Sequence, residues 1–284
     1  MTSPLRQMTA AARAMAKGDY SVQVQATSRD EVGQLARAFS TMASDLARVD
    51  RARRDMIANV SHELRTPVAA LQAELENMVD GVTQPTPETL ALALSQTERL
   101  GRLVTDMLDL SRLEAGAVDL NLSPVRLTDF FTESLDAAAF VASASGKKLA
   151  FECEVSPENL TVVADAERLH QVSANLLSNA IRHSPDGGTI TLRANPKGRR
   201  VVIEISDEGP GIPEHERTLV FERFERGDPP DGSSQRSGAG TGLGLAIARW
   251  AVNLHGGTIK VAESERGCTM RVILPAKATR RPVP

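Results

Sequence analysis

A multi-domain chain is predicted, with an all-α N-terminal part that completes a dimeric four-helix bundle, followed by an α+β sandwich. Three observations carry this. Apolar residues recur at steps of 3 and 4 through most of the first 115 positions. Beyond Gly116 the spacing changes to alternation, in runs such as Leu149/Phe151/Cys153/Val155 and Val201/Ile203/Ile205. Aromatic residues are only 3% of the chain, and a core of Leu, Met and Ala favours close-packed helices over stacked sheets.

Leu5, Met8, Ala12 and Met15 are spaced 3, 4 and 3, and Gly18 closes this first short helix. Val22 and Val24 sit in an extended connector. Leu35, Phe39, Met42, Leu46 and Val49 then step 4, 3, 4 and 3, a coiled-coil seam that short helices keep only by pairing. An amphipathic hairpin fits that periodicity equally well. The seam runs on through Arg53, Met56 and Val60 with no breaker before Pro67, so one long helix is predicted from about Val32 to Val79, bent at Pro67. Asp80 to Pro87 forms a turn by its Gly and Pro content. A second long helix follows from about Glu88 to Glu114, with Leu90, Leu94, Leu100, Leu103, Met107, Leu110 and Leu113 on its apolar face. Two antiparallel helices cannot bury both stripes alone, so a homodimer completes the bundle.

Residues 117–126, with Ser123-Pro124, are expected to be a linker. Beyond them, strands at 149–155, 190–192, 201–205, 258–261 and 269–274 are interrupted by helices near 128–145, 166–183 and 242–255. Without regular βαβ alternation, this is an α+β pattern with helices on one sheet face. The tail 276–284 is expected to be flexible.

Bulk properties exclude several classes. With 33 Lys+Arg against 36 Asp+Glu, nothing points to nucleic acid or an anionic membrane as partner. Cys153 and Cys268 form no CxxC pair, so neither a disulfide framework nor a zinc site is signalled, and two free thiols fit a reducing cytosol. No apolar run approaches ~18 residues and no signal peptide is present, so the expectation is a soluble intracellular chain.

Chemistry enters at Ser61-His62-Glu63-Leu64-Arg65-Thr66-Pro67. At ~100° per residue, Val60 and Leu64 share the apolar face and His62 points away from it. An exposed imidazole beside the Glu63 carboxylate can attack a phosphoryl group while the acid takes its proton. Thr66 lies one turn further on the same face. A solvated surface histidine is the plain alternative on this geometry alone.

A second set of motifs lies in the later part. Asn175 and Asn179, four apart on a predicted helix, turn two amide oxygens the same way, and Mg²⁺ takes oxygen ligands. Arg182 stands a turn further, in reach of a phosphate. Asp207-Glu208-Gly209-Pro210-Gly211 ends a strand, where a carboxylate can accept from an exocyclic amine beside a flat ring. Gly238, Gly240, Gly242 and Gly244 alternate before a helix, where backbone N–H groups and the helix N-terminus favour phosphates. The spacing is neither a Rossmann fingerprint nor a Walker A loop.

SHELRTP resembles the phosphoacceptor box of bacterial sensor histidine kinases. NLLSNAIRHS, DEGPGI, FERF and GTGLGL resemble, in order, the catalytic ATP-binding domain of the same family. Residues 4–48, with Asp30-Glu31-Val32-Gly33, are similar to a HAMP signal-relay module. The resemblance implies domains at 1–49 (HAMP-like), 50–116 (dimerisation and histidine phosphotransfer) and 127–275 (an α+β sandwich binding ATP). It implies that His62 is phosphorylated, that Glu63 assists proton transfer, and that Thr66 serves in dephosphorylating a response regulator. Asn179 would hold Mg²⁺, helped by Asn175. Arg182 would contact phosphate, Asp207 the adenine amine, and Arg226 the transferred phosphoryl. His183 and the glycines 209, 211, 238, 240, 242 and 244 would line the nucleotide, with 227–239 a mobile lid. Two departures stand out: His183 where relatives carry Tyr, and Glu225 where they carry an aromatic.

The implied partners are a response regulator and a second copy of the chain. A HAMP-like module further implies either a fragment, cytoplasmic as given, of an inner-membrane sensor whose transmembrane segment lies outside it, which is the favoured reading, or reuse of the module in a soluble protein. Gyrase-type and mismatch-repair ATPases share the nucleotide fold but need no acceptor histidine. A degenerate, non-catalytic relay is disfavoured by the intact Asn179, Asp207 and glycine boxes.

Overall fold

The computed structural model describes residues 3–20, 30–115, 120–223, 242–264 and 266–276. The chain divides into two compact units, 1–89 and 90–284.

In the first unit, α1 (Ser3–Met15) packs on α2 (Glu31–Val79). Their contact is small-sided: Met8, Ala11 and Ala36 are buried together, with Phe39 against them. Ala11 rather than Ala12 therefore continues the Met8–Met15 seam. In the run Ala10-Ala11-Ala12, residue type alone could not choose the register. Asp30 caps α2, accepting the Gly33 N–H at 3.0 Å. The helix is continuous for 49 residues with Pro67 inside it, and Asp80 closes it by donating to Glu76 O at 2.9 Å. Leu35, Met42, Leu46 and Val49, the predicted seam, stand exposed in the single chain. Thr86 and Thr89 then cap each other reciprocally at the start of α3, Thr86 N–H to Thr89 Oγ1 at 2.9 Å and Thr89 N–H to Thr86 Oγ1 at 3.4 Å.

In the second unit, α3 (Pro87–Ala115) buries Ala93 and Leu103, while Leu90 and Leu94 are exposed. The expected linker is only partly one: Leu122–Arg126 forms β1, antiparallel to β3 (Thr161–Asp165). Pro124 is tolerated there because a two-stranded ladder leaves one side of each strand free of pairing. The remaining strands are β2 (Ala150–Val155), β4 (Thr189–Lys197), β5 (Arg200–Asp207), β6 (Thr258–Ala262) and β7 (Cys268–Pro275), in the order β2-β4-β5-β7-β6. Ala276, assigned to the tail by sequence, donates to Arg199 O at 3.0 Å and belongs to the fold, whereas 277–284 lie outside the described residues.

One sheet face carries α4 (Leu127–Ala144), α5 (Ala166–His183) and α6 (Gly244–Leu254). Leu192, Ile203, Ile205 and Val272 of the sheet are buried with Phe131, Leu176 and Ala251 of the helices. The opposite face explains why helices cover only one side. A single cross-strand row runs Glu154, Arg193, Glu204, Arg271, Lys260 through all five strands. It is tied by Arg193–Glu154 at 3.2 Å and Arg271–Glu204 at 2.5 Å. The opposite charges side by side from Glu154 to Arg271 support pairing, while Arg271 and Lys260 are alike, and the whole row keeps that face in water. No described helix is long and apolar enough to cross a membrane.

Candidate functional site

His62 projects from α2 into solvent, Val60 is buried beneath, and Leu64 is half-buried, as the helical angle requires. Glu63 is half-buried beside it. The Thr66 hydroxyl donates to His62 O at 3.3 Å, and Ser61 Oγ donates to Ile57 O at 2.8 Å. Pro67 has no N–H for the carbonyl of Glu63, so this turn of α2 leans on side-chain hydroxyls on either side of the histidine.

The second cluster gathers at the C-terminal half of α5, the end of β5 and the start of α6. Asp165 caps α5 by accepting the Arg168 N–H at 3.1 Å. Leu169, Val172, Leu176 and Ala180 bury one face, which leaves Asn175 and Asn179 half-buried at its margin. Gly244, the first residue of α6, lies so close that a Cβ there would stand 3.2 Å from Asn175 Oδ1. The N-cap of α6 is Leu243, which is fully buried and has no side-chain acceptor to cap the helix. Gly242 sits in the turn before.

Asp207 is only 6% exposed, and burial pushes its carboxyl pKa up, against hydrogen bonds from the Gly209 and Cys268 backbone N–H groups. The Gly209 N–H reaches Oδ1 at 2.8 Å. A Cβ on Gly209 would meet both Asp207 Oδ1 and His183 O at 2.8 Å, so only glycine fits between strand end and helix end. Gly211 packs on the backbone of Gly267. Glu208 turns away, receiving the Thr189 N–H at 3.3 Å and pairing with Arg266 at 3.6 Å.

Arg182 and His183 are exposed at the end of α5. Neighbouring atoms still withdraw enough water from the imidazole to push its pKa down, and the charges of Arg182 and Lys147 add to this. Arg226, Gly238, Gly240 and the lid 227–239 lie outside the described residues.

Sequence reasoning missed two supports. Lys147 Nζ donates to the carbonyls of Ile181, Arg182 and Ser184 at 2.8, 2.7 and 2.7 Å, saturating the C-terminal end of α5. Cys268 faces Asp207 in the sheet register. Its thiol pKa is pushed up to about 12, by burial first and the Asp207 charge second, with Arg217 opposing. A thiol reagent at pH 8 is therefore expected to modify one cysteine of the native chain, the exposed Cys153, and the second only after denaturation. Two equally fast thiols in the folded chain would contradict the buried placement.

What this arrangement can do chemically is present an exposed imidazole in one unit and a cluster of polar groups and close-packed glycines in the other. Two half-buried amide oxygens, a buried carboxylate and a helix start are a set that suits a divalent cation, an exocyclic amine and phosphates.

Comparison with known proteins matches three domain models in chain order. Residues 1–48 match the HAMP domain model, 52–116 the His Kinase A (phospho-acceptor) domain, and 164–278 the histidine kinase-, DNA gyrase B-, and HSP90-like ATPase. The chain is 36% identical over 276 residues to the signal transduction histidine-protein kinase BaeS of Escherichia coli, covering 97% of this chain and 58% of that protein. It is 37% identical over 254 residues to the probable sensor histidine kinase TcrY of Mycobacterium tuberculosis, covering 86% of this chain and 52% of that one. The chain thus spans little more than half the length of these curated relatives. Among solved structures, the Acinetobacter baumannii histidine kinase AdeS superposes with a TM-score of 0.63 at 28% identity, over 76% of this chain and 98% of that one. The histidine kinase ThkA, in complex with the response regulator protein TrrA, shares the fold with a TM-score of 0.64 at 24% identity, over 84% of this chain and 67% of that one. With relay, phosphoacceptor and ATPase modules matched in chain order, the chain belongs to the two-component sensor histidine kinases.

Proposed function

We propose that the protein is an ATP-dependent, autophosphorylating protein-histidine kinase that passes its phosphoryl group to an aspartate of a response regulator and also removes it again. The observation that carries this reading is the exposed His62 on α2, flanked by Glu63 and Thr66, in a chain whose other unit gathers Asn175, Asp207 and Gly244. A structural histidine would be buried and bonded.

In the proposed step one imidazole nitrogen of His62 forms a bond to the γ-phosphorus of ATP. The bond from that phosphorus to the bridging oxygen breaks, ADP leaves with the electron pair, and the proton on the other ring nitrogen passes to Glu63. Asn179, with Asn175, would hold Mg²⁺, which when bound supplies neutralising charge on the phosphate oxygens. Arg182 and Arg226 are assigned to the phosphates, Asp207 to the adenine amine and His183 to the ring. Glycines 209, 211, 238, 240, 242 and 244 give the backbone its approach.

The domain limits proposed are 1–49 for relay, 50–116 for dimerisation and phosphotransfer, and 127–275 for nucleotide binding, with β1 joining the last. The exposed Leu35, Met42, Leu46 and Val49 support pairing with a second copy, since a seam of four large apolar residues gains by burial. That ThkA was solved with a response regulator supports the same class of partner here.

The test is incubation with γ-labelled ATP and Mg²⁺, followed by acid and alkali treatment of the labelled chain. An acid-labile, alkali-stable label supports a phosphohistidine, and an acid-stable label refutes it. Phosphatase activity has its own test. Thr66 shares the His62 face and could orient a water, but attack on ATP does not need its hydroxyl. Thr66→Ala is expected to autophosphorylate within about twofold of wild type while dephosphorylating the regulator about tenfold more slowly or worse. Unchanged phosphatase turnover would remove Thr66 from that role.

A further inference from the structure

The pairing of α5 with α6 contains a device that the nucleotide-binding reading does not use. His255, only 9% exposed, follows the last residue of α6. Its Nε2 accepts the Asp165 N–H at 2.9 Å, from a residue 90 positions away, and its Nδ1 lies 2.7 Å from Ala251 O. An N–H can only donate and a carbonyl can only accept, so the ring is held neutral with its proton on Nδ1. Asp165 is itself the cap of α5, and its second oxygen receives the Asn121 N–H at 2.9 Å.

At the other end of the same pair, Gly244 lies against Asn175. The two helices therefore run antiparallel, and their spans match. Gly244 to His255 is about 16 Å of helix, and Asp165 to Asn175 about 15 Å. Between the two ends, the Arg168 guanidinium lies 5.4 Å from the Trp250 ring centroid. The apolar contacts of Ala248, Ala251 and Val252 hold the two helices together, and the 2.9 Å hydrogen bond that the buried ring accepts adds a directional tie along the axis.

We propose that His255 is a positioning residue: by tying the end of α6 to the N-cap of α5, it sets the axial register that places the start of α6 against Asn175. The proposal rests on the nucleotide reading for its consequence but not for its geometry. Loss of the tie lets α6 slip, and the Gly244 backbone then leaves its place beside Asn175.

Two near-isosteric variants of the 284-residue chain test it. His255→Gln puts an amide oxygen where Nε2 stands and keeps the acceptor for Asp165. His255→Asn keeps a donor where Nδ1 stands and loses that acceptor. Each is titrated with a fluorescent ATP analogue, its melting temperature is recorded, and the NMR signals of the Gly244 backbone amide and the Asn175 side-chain amide are followed without nucleotide. The expected result is about tenfold weaker binding and shifted Gly244 and Asn175 signals in His255→Asn, with His255→Gln within about threefold of wild type and its signals unmoved. Signals that stay in place in His255→Asn, or affinity that merely follows the melting temperature in both variants, would overturn it. A wild-type chain that binds no nucleotide while the signals move as expected refutes the nucleotide reading and leaves the register role standing. Wild-type binding with two indistinguishable variants refutes the register role alone.

Discussion

Replacing His62 by Gln is expected to reduce phosphoryl incorporation to background while leaving nucleotide affinity within about twofold of wild type. The size of the first effect follows from the chemistry. Gln is polar and of similar length, but its amide nitrogen is not a nucleophile, so no bond to phosphorus can form. The absence of the second follows from the organisation of the chain: His62 lies in the unit of residues 1–89, and Asn175, Asp207 and Gly244 in that of 90–284. The fold of α2 should tolerate the change, because His62 is exposed and its backbone carbonyl, which accepts from Thr66 Oγ1, is retained by Gln. The measurement is label retained from γ-labelled ATP beside a fluorescent-nucleotide titration. Residual label at the wild-type level would move the acceptor to another residue. Lost affinity would mean that the two functions are not separable by unit.

The expectation for His62 was legible because a helix converts residue number into direction, and Val60, Leu64 and His62 need no tertiary information to be told apart. The same holds for α5, where the sequence stretch 166–183 coincides with the helix Ala166–His183. Its apolar face is unambiguous and its start is marked by Asp165. β1 and β3 were not legible. Ser123-Pro124 has the look of a breaker, and Thr161–Asp165 is five residues long, with its last one doubling as a helix cap. Glycines 209, 211 and 244 could be found because close backbone approach leaves little room for a Cβ there, which would stand 2.8, 2.9 and 3.2 Å from its nearest neighbour. Lys147 could not, since its value comes from three carbonyls 34 to 37 positions away, and nothing in Lys147-Lys148 before a strand singles it out. The Leu35–Val49 seam was correctly seen as apolar, yet one copy of the chain leaves it exposed and packs Ala36 against α1 instead.

Asp207→Asn is expected to weaken ATP binding by at least about 100-fold, while the chain stays folded. In wild type the buried carboxylate offers acceptors only, and the Gly209 and Cys268 N–H groups already approach it from the protein side. On the proposed reading an exocyclic amine would complete that set as a third donor. An amide in its place turns one acceptor into an NH₂ group, so a donor faces a donor in a desolvated site, where a missing partner costs far more than at the surface. Stability should move differently. Burial raises the folded pKa of Asp207 above its unfolded value, so its favourable contribution is present below the unfolded pKa and is lost as pH rises through the folded one. At neutral pH the ionised, buried group is therefore a cost that Asn removes, which offsets the hydrogen bonds weakened by the exchange. The melting temperature of Asp207→Asn relative to wild type should be most favourable near neutrality and should fall behind as pH drops toward 4. Nucleotide titration at pH 7.5 and paired melting curves from pH 8 to 4 measure both effects. Wild-type affinity in the variant would take Asp207 out of the nucleotide site, and a stability difference independent of pH would mean that its carboxyl is not held out of water.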